Sequence, residues 1–211
     1  MGVATSNRRL LSAGVALWVI LVAILVWRQW PEPPPPRQAA NLLRTAVAGD
    51  AARVASSVPE LDLSRMGISR TLCERLVREI VLPPFTACKL RAVEELDTGN
   101  TNFSGAAMVT LILPSGAEAP MAMQVERSDT GMVVPLEGWL RQSWRLRYYS
   151  SHPKAGLGGV TPMLWGLRAT RKSFEELGIT KIACLDGRVR TLDELDAFFS
   201  TIERKQWPKG D

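Results

Sequence analysis

The chain has 211 residues, 46% of them apolar, and carries 26 lysines and arginines against 21 aspartates and glutamates, a net charge of +5. The charge is +3 over residues 1–37, 0 over 38–152 and +2 over 153–211, so the main body has no basic stripe and nucleic acid is excluded as a partner. Three cysteines exclude a disulfide framework, and a single histidine leaves a His-based metal site or catalytic triad almost nothing to draw on.

Residues 1–9 read as a short tail, and Leu10 to Trp27 as eighteen consecutive uncharged residues fenced by Arg8, Arg9 and Arg28. A helix of that length spans ~27 Å, about the hydrocarbon thickness of a bilayer. The expectation is a single-pass membrane helix, with Leu10 and Trp18 in it, Trp27, Arg28 and Trp30 at its interface, and the lipid bilayer as a partner. The apolar core exceeds that of a secretory signal, and no small-x-small site follows it, so the reading is an uncleaved signal anchor. Arg8-Arg9 fits a positive-inside flank better than a twin-arginine export signal. Arginines on the two sides nearly balance. The short N-terminal tail is the easier end to retain, which sets the N-terminus in the cytoplasm and the rest outside, at the cell membrane.

Residues 28–37 contain Pro31-Glu32-Pro33-Pro34-Pro35-Pro36, read as a polyproline II stalk of ~15–20 Å. From Gln38 the period is helical. Ala39, Leu43, Ala46 and Val47 share a face, Gly49 suits the left-handed position after a helix, and Asp50 is placed to cap the next one. Ala51, Val54, Ala55 and Val58 mark that second helix. Ser69 starts a third along Cys73, Leu76, Val77 and Ile80, which the reading ends at Pro83-Pro84.

The period then changes. Lys89–Leu96, Phe103–Leu113, Met121–Arg127 and Met132–Val134 read as strands joined by turns at Gly99, Gly116 and Gly131, an antiparallel meander. Gly138–Tyr149 fits a closing helix with Leu140, Trp144 and Tyr148 on one stripe, and Trp144–Tyr149 fits a strand equally well. Residues 38–152 are thus an α+β domain: three helices packed on a curled antiparallel sheet. Residues 153–211 read as a separate helix–hairpin–helix appendage. Thr161-Pro162 opens a helix that Gly178 stops, and Asp186-Gly187 turns a hairpin between Ile179–Leu185 and Arg188–Arg190. Thr191 to Glu194 form a capping box for a last helix through Arg204. Helix–hairpin–helix order is shared with small winged DNA-binding units, but the strands' neutral charge opposes that use.

Three helices before a curled sheet, the first two joined by Ala46-Val47-Ala48-Gly49-Asp50, resemble the nuclear-transport-factor-like (SnoaL-like, cystatin-like cone) superfamily over about residues 38–150. The resemblance implies either an isomerase or dehydratase with a polar pocket in the cone, or a non-enzymatic module. Single-pass scaffold subunits of bacterial secretion machines are among the latter.

No catalytic motif decides for chemistry. Glu94, Glu95 and Glu126 are the strand carboxylates, and alternation puts Glu94 and Glu95 on opposite faces. His152 sits in a Ser-His-Pro loop. A Cys73–Cys88 bridge and three buried thiols both remain open. Trp139, Trp144, Tyr148, Phe198 and Phe199 are the residues picked for an interface or pocket, with core packing as their plainer role. The expected function is a membrane-anchored, non-catalytic scaffold or accessory subunit binding another envelope protein. It needs no cofactor or metal, and a homo-oligomer is open. Its rival is a cone-fold small-ligand binder or enzyme acting on an apolar substrate; a deep cavity with convergent polar groups would favour that rival.

Overall fold

The computed structural model describes residues 35–96, 104–128, 131–153, 155 and 159–206. Residues 34–211 form one compact unit. Among the described residues no helix is long and apolar enough to cross a membrane. That finding corrects the expectation of a transmembrane helix, a signal anchor and a single-pass cell-membrane location. The residues it relied on, Leu10, Trp18, Trp27, Arg28 and Trp30, lie outside the described residues.

Helix α1 spans Pro35–Ala48, so Pro35, Pro36 and Arg37 belong to a helix rather than to the stalk. Proline suits a first helical turn, where its missing N–H has no intrahelical acceptor. Pro35 lies so close to Gly105 that a Cβ on the glycine would fall 2.3 Å from a proline backbone carbon. Gly49, at φ +81°, ends α1, and the Asp50 carboxylate accepts from Arg53 N at 3.0 Å to cap α2 (Ala51–Ser56). Helix α3 (Glu60–Met66) ends at left-handed Gly67. The Ser69 hydroxyl caps α4 (Arg70–Leu76), accepting from Leu72 N at 3.1 Å.

Pro83-Pro84 does not halt the third predicted helix. The chain widens into a π turn over Val77–Val81 and continues as α5 (Leu82–Thr86) through both prolines. Proline removes an N–H and crowds the carbonyl four residues back, and a wider turn relieves that crowding. Pro84 thereby leaves the Ile80 carbonyl without its helical donor. Ser143 Oγ and Arg147 Nη2 supply replacements, each at 3.0 Å.

Strands β1 (Lys89–Leu96), β2 (Ser104–Ile112), β3 (Glu118–Ser128) and β4 (Gly131–Val133) form an antiparallel meander in that order. The α+β class with an antiparallel four-stranded sheet is therefore as expected. Val109 pairs with Val93 on one side and Met121 on the other, and β1 carries a bulge between Leu90 and Ala92. Strand β3 begins three residues earlier than read, because Pro120 sits where β4 no longer pairs with it. Proline is tolerated at such an edge. Alternation sends Ala107, Val109, Leu111, Ala119, Met121, Met123 and Val125 into the core against α1.

Helix α6 (Leu136–Ser151) settles the helix-or-strand alternative. Its first N–H, on Leu136, donates to the Asp62 carboxylate at 3.2 Å. Helix α7 (Thr161–Glu176), hairpin β5–β6 (Lys181–Ala183 and Val189–Thr191) and α8 (Leu192–Gln206) follow in the order read, except that Thr161 is not the N-cap its hydroxyl suggested: Val160 precedes the helix and Thr161 Oγ1 donates to Glu203 at 2.8 Å. The capping box is formed in both directions: Glu194 N donates to Thr191 Oγ1 at 3.2 Å and Thr191 N to Glu194 Oε2 at 2.8 Å. These elements are not detached. Trp144 Nε1 donates to Thr170 Oγ1 at 3.0 Å, Gly166 lies flat on Trp144, and the Trp144 and Phe199 rings meet edge to face at 6.3 Å. One hydrophobic cluster runs from Leu43 to Phe199.

Candidate functional site: the outer sheet face and the helix α6 surface

The five aromatic residues picked from the sequence divide into two groups. Trp139 and Trp144 are fully buried and Phe199 nearly so; the two indole N–H groups are satisfied by Ser57 and Thr170. These three are core. Phe198 is half-buried beneath the Arg190 guanidinium, 4.5 Å from its ring centroid. Tyr148 is half-buried and stacks on exposed His152 at 4.4 Å, with Trp165 edge-on to both at 5.9 and 5.4 Å. The three rings pack on one another at the surface.

The interior offers no site for acid–base work among the described residues. The side chains that α1, α5, α6 and the sheet present to one another are apolar: Leu43, Phe85, Val109, Met121, Met123, Trp139 and Leu140. The buried polar residues are Ser57, Glu137, Ser143 and Thr170, and each is matched. Ser57 donates to Val54 O, Ser143 to Ile80 O and Thr170 to Gly166 O. Glu137 takes Arg141 Nε and Nη2 on one oxygen, at 2.9 and 2.7 Å, and Leu185 N on the other at 2.5 Å. Glu94, Glu95 and Glu126 are exposed. Cys73, Cys88 and Cys184 are buried free thiols, so Cys73 and Cys88 are not bridged. Burial pushes the Cys73 thiol up to about 11. No group of metal-ligating side chains occurs among the described residues.

Two surface features remain. The first is the outer face of the sheet. Pairing places Ala92, Ala106, Met108, Thr110, Ile112, Pro120, Ala122 and Gln124 there, half-buried or exposed. Charges stand only around them: Lys89 and Glu94 on β1, the Arg91–Glu118 ion pair across one end, and Glu126 at the other. An uncharged centre inside a charged rim is the composition of a protein–protein interface. Alternation in Ala106–Ile112 could have revealed it, because both faces of that strand are apolar or uncharged.

The second feature is a stripe on α6 that sequence reading passed over for the Leu140–Trp144–Tyr148 stripe beside it. Gln142, Arg145 and Tyr149 stand at i, i+3 and i+7, on one side of the helix. Gln142 Nε2 donates to Ala122 O at 2.7 Å, which ties the stripe to the free edge of β3. Gln142 Oε1, Arg145 Nε and Tyr149 Oη are buried without hydrogen-bond partners, as is Arg147 Nε on the same helix. Burial lowers the Arg145 pKa and raises that of Tyr149.

Comparison with protein-family models, curated proteins and solved structures finds no match.

Proposed function

We propose that this protein is a non-catalytic binding module, a scaffold or accessory subunit that docks a protein partner on the outer face of its sheet. The observation that carries the reading is the uncharged patch centred on Met108 and Ala122 inside its charged rim. The apolar interior supports the non-catalytic side, since a general acid or base needs a polar group left free in a pocket. Helices leading into an antiparallel meander, with the Ala46–Asp50 turn between the first two, support kinship with the non-enzymatic cone-superfamily modules. That kinship rests on element order and one short turn.

The test uses the full chain, cross-linked in its own cells and isolated. One protein should co-isolate in constant ratio with the wild type and be lost with Met108→Glu or Ala122→Glu. Both positions are surface-facing, so melting temperatures should stay close to wild type. Equal recovery of the same partner with both variants would remove the outer face as the docking surface.

A further inference from the structure

Both edges of the sheet resist an added strand. On β1, Lys89, Arg91, Glu94 and Glu95 are exposed, and the bulge between Leu90 and Ala92 interrupts the ladder. Charges and bulges are what edge strands carry against pairing. On the other side β4 pairs only with Glu126–Ser128, so β3 from Glu118 to Val125 has no further strand beside it among the described residues. There Pro120 lacks an N–H, and Gln142 already donates to the Ala122 carbonyl. A docking protein is left with the outer face itself.

That face is one helix wide. Strands β1 and β3 lie ~10 Å apart across β2, whose nine residues extend ~30 Å. An α-helix is ~10–12 Å across, and ~20 residues of it span ~30 Å. The middle of the face is low: Ala92, Ala106 and Ala122 lie around Met108, which leaves room for bulky apolar side chains and one flexible one to fit them. The rim is polarised. Lys89 stands at the Ile112 end, Glu94 beside Met108, and Glu126 beyond Gln124 towards the other end. None of these three has an ion-pair partner among the described residues, whereas Arg91 and Glu118 pair with each other. A second copy would bring four such carboxylates against two lysines, so like charge opposes self-association.

We infer that the partner docks as one amphipathic α-helix laid along β2, its bulky apolar side on Ala106, Met108 and Ala122 and its lysines or arginines over Glu94 and Glu126. Such a helix presents anchors at i, i+3, i+4 and i+7. The anchors supply affinity, and the two carboxylates set which way the helix runs. The inference rests on the outer-face docking reading and adds the partner's chemistry to it.

The test uses the full chain carrying Gln124→p-benzoylphenylalanine, an exposed position on that face, irradiated in its own cells, with the attached partner segment sequenced. The segment should have apolar residues at helical spacing and basic residues towards one end. A synthetic peptide of it should gain helical circular dichroism when the full chain is added. Combining Glu94→Lys with Glu126→Lys should weaken that peptide roughly tenfold, the size of two surface ion pairs. Exchanging the peptide's basic residues for glutamate should restore binding to the double variant. An extended or acidic segment, a peptide that gains no helix, or wild-type binding by the double variant would overturn the helix and leave the outer face as the docking surface. Attachment of no protein at position 124 would overturn both.

Discussion

At the scale of single residues, the strongest commitments are buried polar groups with no spare partner. Glu137 is 1% exposed; one of its oxygens accepts from Leu185 N and so holds α6 to the start of the hairpin turn, while the other accepts from Arg141 on the same helix. Glu137→Ala strands both the Arg141 guanidinium and the Leu185 N–H. We expect a loss of about 3–5 kcal/mol in urea unfolding, the range for a broken buried pair. Arg190 works on the surface instead, holding the Asp186 carboxyl down to about 2. A folded-state pKa below the unfolded one stabilises above the unfolded value, and the contribution disappears as pH falls through the folded one. Carbon-detected titration should find the Asp186 midpoint near 2, so this pair is lost between about pH 4 and 2. In Arg190→Met the midpoint should return to the ordinary aspartate range. Asp62 has the opposite sign: burial raises its pKa, so its ionisation weakens the fold as pH rises through that raised value.

At the scale of elements, the helix that runs through Pro83 and Pro84 depends on α6. Freed by Pro84, the Ile80 carbonyl has two donors, Ser143 Oγ and Arg147 Nη2. Ser143→Ala should cost ~1 kcal/mol in thermal or urea unfolding, because Arg147 still serves the carbonyl. Adding Arg147→Met orphans it, and the double variant should lose more than the sum of the singles, with ~2–3 kcal/mol as the expected total. Such coupling is absent from any local pattern: the sequence shows two prolines and a plausible stop, while the replacement donors lie 63 and 67 residues further along. The capping box of α8 is the contrary case. Its donors and acceptors are three residues apart, so Thr191 and Glu194 were readable directly. Thr191→Ala should cost ~1 kcal/mol.

At the scale of the whole molecule, the last third completes the core of the first two. Gly166 admits Trp144: a Cβ there would stand 2.2 Å from the Trp144 Cβ. Gly166→Ala should therefore push α7 off α6 and lower the melting temperature, at a cost of about 1–3 kcal/mol or more. Truncation after His152 should fail to give a cooperative transition, since it strips Thr170, Gly166 and Phe199 from Trp144. The full described unit should melt in one step by circular dichroism. Two separate transitions, with a folded 1–152 fragment, would restore the detached-appendage reading. A thiol reagent should find no fast-reacting cysteine in the native chain and all three after denaturation, given that each is buried.

Local chemistry alone was enough for the caps at Asp50, Ser69 and Thr191, the glycine stops at Gly49 and Gly178, the strand alternation and the hairpin at Asp186-Gly187. These signals act over three or four residues, and the α+β class follows from their order. Sequence could not say which aromatic rings face inward, because Trp144 and Tyr148 share a helical stripe and differ only in what packs on them. It could not reveal that residues 161–206 close the core, that both prolines sit inside a continuing helix, or that Gln142 on α6 bonds the backbone of β3 at Ala122. Burial and pairing belong to groups brought together from distant positions, so only the tertiary structure decided them.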